Sequence, residues 1–206
     1  MSLLSIIVAA VLAAAQPSPA EVGSKSEVKD VQSMHALAQC IANERPAEVR
    51  ALLATDFRVP TYGRDLRDLL DKRYDCRGVS VRRGLYRSGT LMWGGALAEA
   101  IMRRDRTLVS LAERTAYDPA RPVIEARNAG EFMAFCAVRK DPARVAALLG
   151  TQPATAAEYQ AIVALAATLS GCIPANTKSE FTREALRALL ALGANRLAVH
   201  NARAGD

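Results

Sequence analysis

The four cysteines constrain this chain more than any other feature. Cys40 and Cys76 lie 36 positions apart, and so do Cys136 and Cys172. The second pair is displaced from the first by 96 positions. The same displacement places Pro46, Ala47, Val49, Ala51, Leu52, Leu53 and Thr55 on Pro142, Ala143, Val145, Ala147, Leu148, Leu149 and Thr151. Over residues 36–76 it gives 11 identities without a gap. Cysteine is rare and both pairs hold register. The pattern therefore reads as an internal duplication rather than a coincidence in an Ala- and Leu-rich chain. Past the second cysteine the displacement falls from 96 to 89, where Ala96-Leu97 meets Ala185-Leu186, so the first copy carries 7 extra loop residues.

Four cysteines allow three pairings. A duplicated unit that inherits its own bridge selects Cys40–Cys76 with Cys136–Cys172. In the chain-entropy account a bridge closing a loop of this length stabilises by about 4 kcal/mol. The alternatives are four buried thiols or a four-cysteine zinc site; the second lacks the close Cys-x2-Cys pairs such sites use. No metal and no cofactor are expected.

Residues 1–15 read as a signal peptide. Residues 3–15 form an uncharged apolar run that ends in Ala13-Ala14-Ala15. That is the length of a signal-peptide core and short of the ~20 residues a membrane span needs. Gln16-Pro17-Ser18-Pro19-Ala20 follows, with a second cleavage position after Ala20. The expectation is a periplasmic or secreted protein with no membrane span, in which disulfides persist.

With 40 Ala among 206 residues and only 5% aromatics, helices packed through small side chains are favoured over a sheet. The fold expected is all-α: a helical bundle of two tandem related units, each of about four helices and one disulfide. Helices are expected over 30–43, from Pro46, over 62–75, 91–103 and 107–116, then over 130–139, 143–149, 156–169 and 182–192. Apolar residues there recur at helical spacing. Asp141 before Pro142 is a better N-cap than Arg45 before Pro46. The organisation expected is a signal peptide over 1–15, a flexible segment over 16–28, unit 1 over 29–116, a connector over 117–126 and unit 2 over 127–206, packed as one domain.

Two resemblances bear on these residues. The segment 184–195 looks like the second helix of an ankyrin repeat. That family's Thr-Pro-Leu-His turn is missing, however, and a 33-residue offset aligns nothing. The segment reads as a helix ending at Gly193. The chain also resembles uncharacterised exported proteins of Gram-negative bacteria. The shared features are the Cys-x5-Pro-x2-Val-x2-Leu-Leu unit and the later Gly-Ala-Leu-Ala-Glu-Ala stretch at 95–100. This resemblance implies an exported helical protein and carries no activity with it.

Little in the sequence points to catalysis. Ser26-x-x-Lys29 matches one element of penicillin-recognising enzymes, but their Ser-Asp-Asn and Lys-Thr-Gly elements do not occur. His35 and His200 are the only histidines, and each reads as a surface or capped residue. Glu99, set among Ala98, Ala100 and Ile101, is the one candidate catalytic acid, for a hydrolase of envelope polymers. Its simpler reading is a helix-surface carboxylate paired with Arg103 four residues on. Trp93 reads as a core anchor in preference to a ligand-stacking ring.

Charge is uneven. Of the net +6, residues 16–56 carry −2, 57–126 carry +5 and 127–206 carry +3. Arg77, Arg82, Arg83 and Arg87 fall in one Gly-containing loop with no acid between Asp75 and Glu99. They form a candidate patch for an anionic envelope component. A partner that is another exported protein is the alternative, with a role as inhibitor or chaperone; nucleic acid is not expected. The leading reading is an exported, non-catalytic helical protein with a binding or structural role in the cell envelope.

Overall fold

A computed structural model of the chain describes residues 24–76, 89–173 and 181–203. They form nine α-helices and one 3-10 helix and contain no strand. The helices are α1 (Lys25–Glu44), α2 (Pro46–Ala54), α3 (Pro60–Leu70), α4 (Thr90–Arg104), α5 (Leu111–Thr115), α6 (Ala129–Lys140), α7 (Pro142–Gly150), α8 (Ala156–Ser170) and α9 (Arg183–Arg203). The 3-10 turn Thr107–Ser110 leads into α5. The all-α bundle and both intra-unit disulfides stand as expected. Cys40–Cys76 and Cys136–Cys172 have Cα–Cα separations of 5.8 and 5.5 Å.

Local chemistry sets the helix starts. Ser24 and Glu27 form a reciprocal capping box at α1, so the helix begins at Lys25 and takes in Ser26. That is five residues ahead of the expected start at 30, inside the segment read as flexible. Asn128, Asp141 and Thr155 each accept a backbone N–H at the starts of α6, α7 and α8. Arg45 makes no side-chain cap at α2, and Pro46 alone sets that start.

Two helix ends differ from expectation. The helix expected over 62–75 is α3, which stops at Leu70. Six more helical residues would carry Cys76 about 9 Å further along the axis; the chain turns instead and brings Cys76 back to Cys40. The helix expected to end at Gly193 runs on to Arg203. Gly193 is there for packing, because a Cβ on it would lie 2.7 Å from the Ala134 Cβ of α6. From sequence alone, Leu-Gly-Ala-Asn has the form of a C-cap.

Each unit has the same order: three helices, a connecting segment, then a fourth helix. The fourth helices, α4 and α9, pack on each other at the centre, with α1 against α4 and α6 against α9 on the outside. The crossing is close: a Cβ on Gly95 would collide with the Cα and Cβ of Ala188. Trp93 through Met102 are all buried, because α4 serves two cores. Trp93, Leu97 and Ile101 join Met34, Ile41, Leu66 and Leu69 in the first. Ala98 and Met102 join Val138, Leu148, Leu165 and Leu190 in the second. Leu53 touches both. Trp93, 1% exposed, is a core residue.

Candidate functional site

Two places concentrate polar chemistry. The first lies where α4 and α9 cross. Glu99, Glu158 and Arg187 are each 2–3% exposed. Burying a charge is costly unless it is paired and hydrogen-bonded, and here the pairing is complete. Arg187 grips Glu99 with two parallel bonds, Nε to Oε2 and Nη2 to Oε1, both 2.8 Å. Its Nη1 donates to Glu158 Oε1 at 2.9 Å and to Thr151 Oγ1 at 3.1 Å. Its Nη2 also reaches the Thr151 carbonyl at 2.9 Å. The other oxygen of Glu158 accepts the Ala154 N–H at 2.8 Å, at a residue held at φ 55°.

Arg103 completes the cluster. Its Nη2 donates to Glu99 Oε1 at 2.8 Å and also to the Leu149 carbonyl. The Arg103 pairing expected for Glu99 is therefore present, but the carboxylate is interior rather than on the helix surface. The reason is α9: Arg187 approaches from a helix that is distant in sequence. Burial pushes the Glu99 carboxyl up. The Arg187 hydrogen bonds, with the charges of Arg187, His35 and Arg103, outweigh that and hold it below its ordinary value. Glu99 is thus an ionised carboxylate clamped by two guanidinium groups.

His35, read as a surface or capped residue, sits half-buried beside this cluster with Nδ1 3.8 Å from Glu99 Oε1. Burial lowers its pKa to about 4. The Glu99 charge opposes the shift, and those of Arg187 and Arg103 add to it. At neutral pH the ring is uncharged and its contact with Glu99 is polar, not an ion pair. A cavity of about 350 Å³ opens beside it, lined by Gln32, Gln39, Gln152 and Arg103 among others. Two of these amides are engaged: Gln32 donates to the Pro153 carbonyl at 3.1 Å and Gln39 to Asn43 Oδ1 at 3.2 Å.

The second place is a larger cleft of about 530 Å³, formed by α2, the end of α4, the connector and the end of α9. Its apolar wall includes Leu53, Ile101, Met102, Ile124 and Val199. Five arginines line it, Arg50, Arg114, Arg127, Arg196 and Arg203, against one acid, Asp105. Arg50 pairs with Asp105 at 2.7 Å. Arg196 pairs with Glu131, donates to the Glu125 carbonyl at 3.1 Å and lies over the Phe135 ring. Arg127 stands 3.8 Å from Asp56, which Arg58 already holds at 2.7 Å. Arg114 donates to Ser110 Oγ at 3.0 Å, and neither it nor Arg203 has an acidic partner among the described residues. His200 also lines the cleft and meets the Pro122 carbonyl at 2.9 Å.

Sequence reading missed this cleft because its arginines come from segments spread over more than 150 positions and share no motif. Only the excess of arginine over acid hinted at it. The candidate patch residues Arg77, Arg82, Arg83 and Arg87, like residues 1–15, lie outside the described residues. No helix among the described residues is long and apolar enough to cross a membrane. Structural disulfides are characteristic of oxidising compartments, which fits a non-cytoplasmic protein. No protein-family model matches the chain, and no curated protein or solved structure is similar to it.

Proposed function

We propose that this is an exported, non-catalytic binding protein of the bacterial cell envelope, built by duplication of a disulfide-closed helical unit. The observation that carries the binding role is the arginine-lined cleft. Elsewhere the buried charges are spent on packing, whereas here cations outnumber acids around an apolar wall. Convergent polar groups on a largely apolar concavity are the usual form of a ligand site. Export is supported by the apolar run over 3–15 and by the two disulfides. The hydrolase alternative finds no support at Glu99, because a catalytic acid needs a raised pKa and this carboxyl is held down.

The full chain expressed in a Gram-negative host tests both halves of this reading. Mass spectrometry should find a mature N-terminus after Ala15 or Ala20 and two oxidised pairs. The mature protein should gain thermal stability from anionic envelope components, lipopolysaccharide, phosphatidylglycerol or an acidic glycan, and not from neutral counterparts. An intact Met1 would overturn export. Equal response to neutral and anionic components would overturn the binding role.

A further inference from the structure

We propose that the cleft between α2, the connector and α9 takes a small amphipathic anion: one carboxylate or phosphate group on an apolar body. The inference rests on the binding reading above and names the ligand class. The cleft volume, about 530 Å³, falls in the range of small-molecule sites. Its two components ask for different parts of one molecule. Ile101, Met102, Leu53 and Ile124 present an apolar surface, and Val199 remains 37% exposed at its edge. Arg114 and Arg203 present guanidinium groups with no acidic partner among the described residues, and a guanidinium fork matches carboxylate and phosphate geometry.

These two arginines are also brought together by the fold. Asn201, two residues before the end of α9, donates its side-chain amide to the Arg114 and Ala116 carbonyls at 2.9 and 3.0 Å. That bond pins the end of α9, and Arg203 with it, beside α5. The remaining cleft arginines each have an acid nearby: Arg50 pairs with Asp105, Arg196 pairs with Glu131, and Arg127 stands 3.8 Å from Asp56. A free inorganic anion would satisfy the guanidinium groups and leave the apolar wall wet. A neutral amphiphile would cover the wall and leave the cations unpaired.

A second, smaller cavity shares part of the cleft's lining. Bounded by Leu53, Arg127, Asn195 and Arg196, all of which also line the cleft, it is lined by Tyr62. The Tyr62 hydroxyl has no hydrogen-bond partner among the described residues, and the residue is 1% exposed. Buried hydroxyls normally find a partner; this one faces the close-packed Gly94 of α4.

Calorimetric titration of the mature, oxidised protein tests the proposal, with probes kept below their micelle concentrations. Dodecanoate and dodecyl phosphate should bind saturably at one site, and dodecyl maltoside and inorganic phosphate should not. Arg114→Gln with Arg203→Gln, both exposed positions, should weaken dodecanoate at least tenfold without lowering the melting temperature. Val199→Glu, which adds an acid to the wall, should do the same. Phosphatidylglycerol vesicles distinguish a lipid headgroup from a free amphiphile: competition by dodecanoate places both in the cleft. No saturable dodecanoate binding, binding unaffected by these variants, or equal binding of dodecyl maltoside would overturn the proposal. Vesicle binding that persists while dodecanoate fails to bind would overturn this ligand class and leave the envelope-binding role intact.

Discussion

His35 shows how one side chain takes its properties from distant parts of the chain. Its folded pKa of about 4 lies below the ordinary 6.5 because the ring is enclosed next to two arginines. In the unfolded chain the ring gains a proton near pH 6.5, but in the folded protein it stays neutral until about pH 4. The unfolded state therefore binds more protons throughout that interval, and stability falls as pH drops from 6.5 to 4. Above 6.5 this contribution is fully present, and below 4 it levels off. The shift corresponds to up to about 3 kcal/mol. Denaturant melts of wild type and His35→Gln should converge as pH falls through this window, with the variant's profile the flatter. Parallel profiles would show that His35 does not titrate between the two states.

At the scale of elements, the α4–α9 crossing carries most of the consequences. Gly95 lets the two backbones meet, and Arg187 of α9 ties α4 through Glu99 and α8 through Glu158. Gly95→Val should cost at least the 1–3 kcal/mol of ordinary overpacking, since the new atoms meet backbone that cannot move aside. Arg187→Met should cost up to roughly 3–5 kcal/mol, because it takes the shared cation from two buried carboxylates and leaves Glu99 only Arg103 and Glu158 only Arg183. Replacing Glu99, Glu158 and Arg187 together by apolar residues of similar volume should recover most of that loss. Urea melts of the three variants check the ordering. A triple variant no better than Arg187→Met would mean that the charges contribute more than their mutual compensation.

These elements also mark where sequence was and was not readable. Helix identity followed from spacing and from Pro46 and Pro142, and the cysteine register led to both bridges. Glu99 stands out among small apolar neighbours, and its i+4 partner Arg103 is legible because that contact is local. Arg187 is not, because nothing in the Ala- and Leu-rich run from 184 to 192 indicates that this arginine points inward. Its burial is decided by α4, 88 positions away. Gly193 misled for the same reason: a glycine that admits a neighbouring helix and one that ends a helix look alike until the neighbour is in place.

Across the whole molecule, each disulfide closes within its own unit and none joins the two units. Load applied to the two ends of the oxidised chain therefore bypasses residues 41–75 and 137–171. The α2–α3 and α7–α8 pairs are mechanically shielded, and the tension runs through α4, the connector and α9. Glu158 and Thr151 lie in the shielded part, while Glu99 and Arg187 lie in the loaded part. In an optical trap, complete unfolding under reducing conditions should lengthen the chain by about 240 Å more than under oxidising conditions, about 120 Å for each bypassed loop. An increment near half that value would show that only one bridge had formed. Such a protein could be stretched at its core while the turns that hold its buried cation stay folded, a division of labour set by where four sulfur atoms fall.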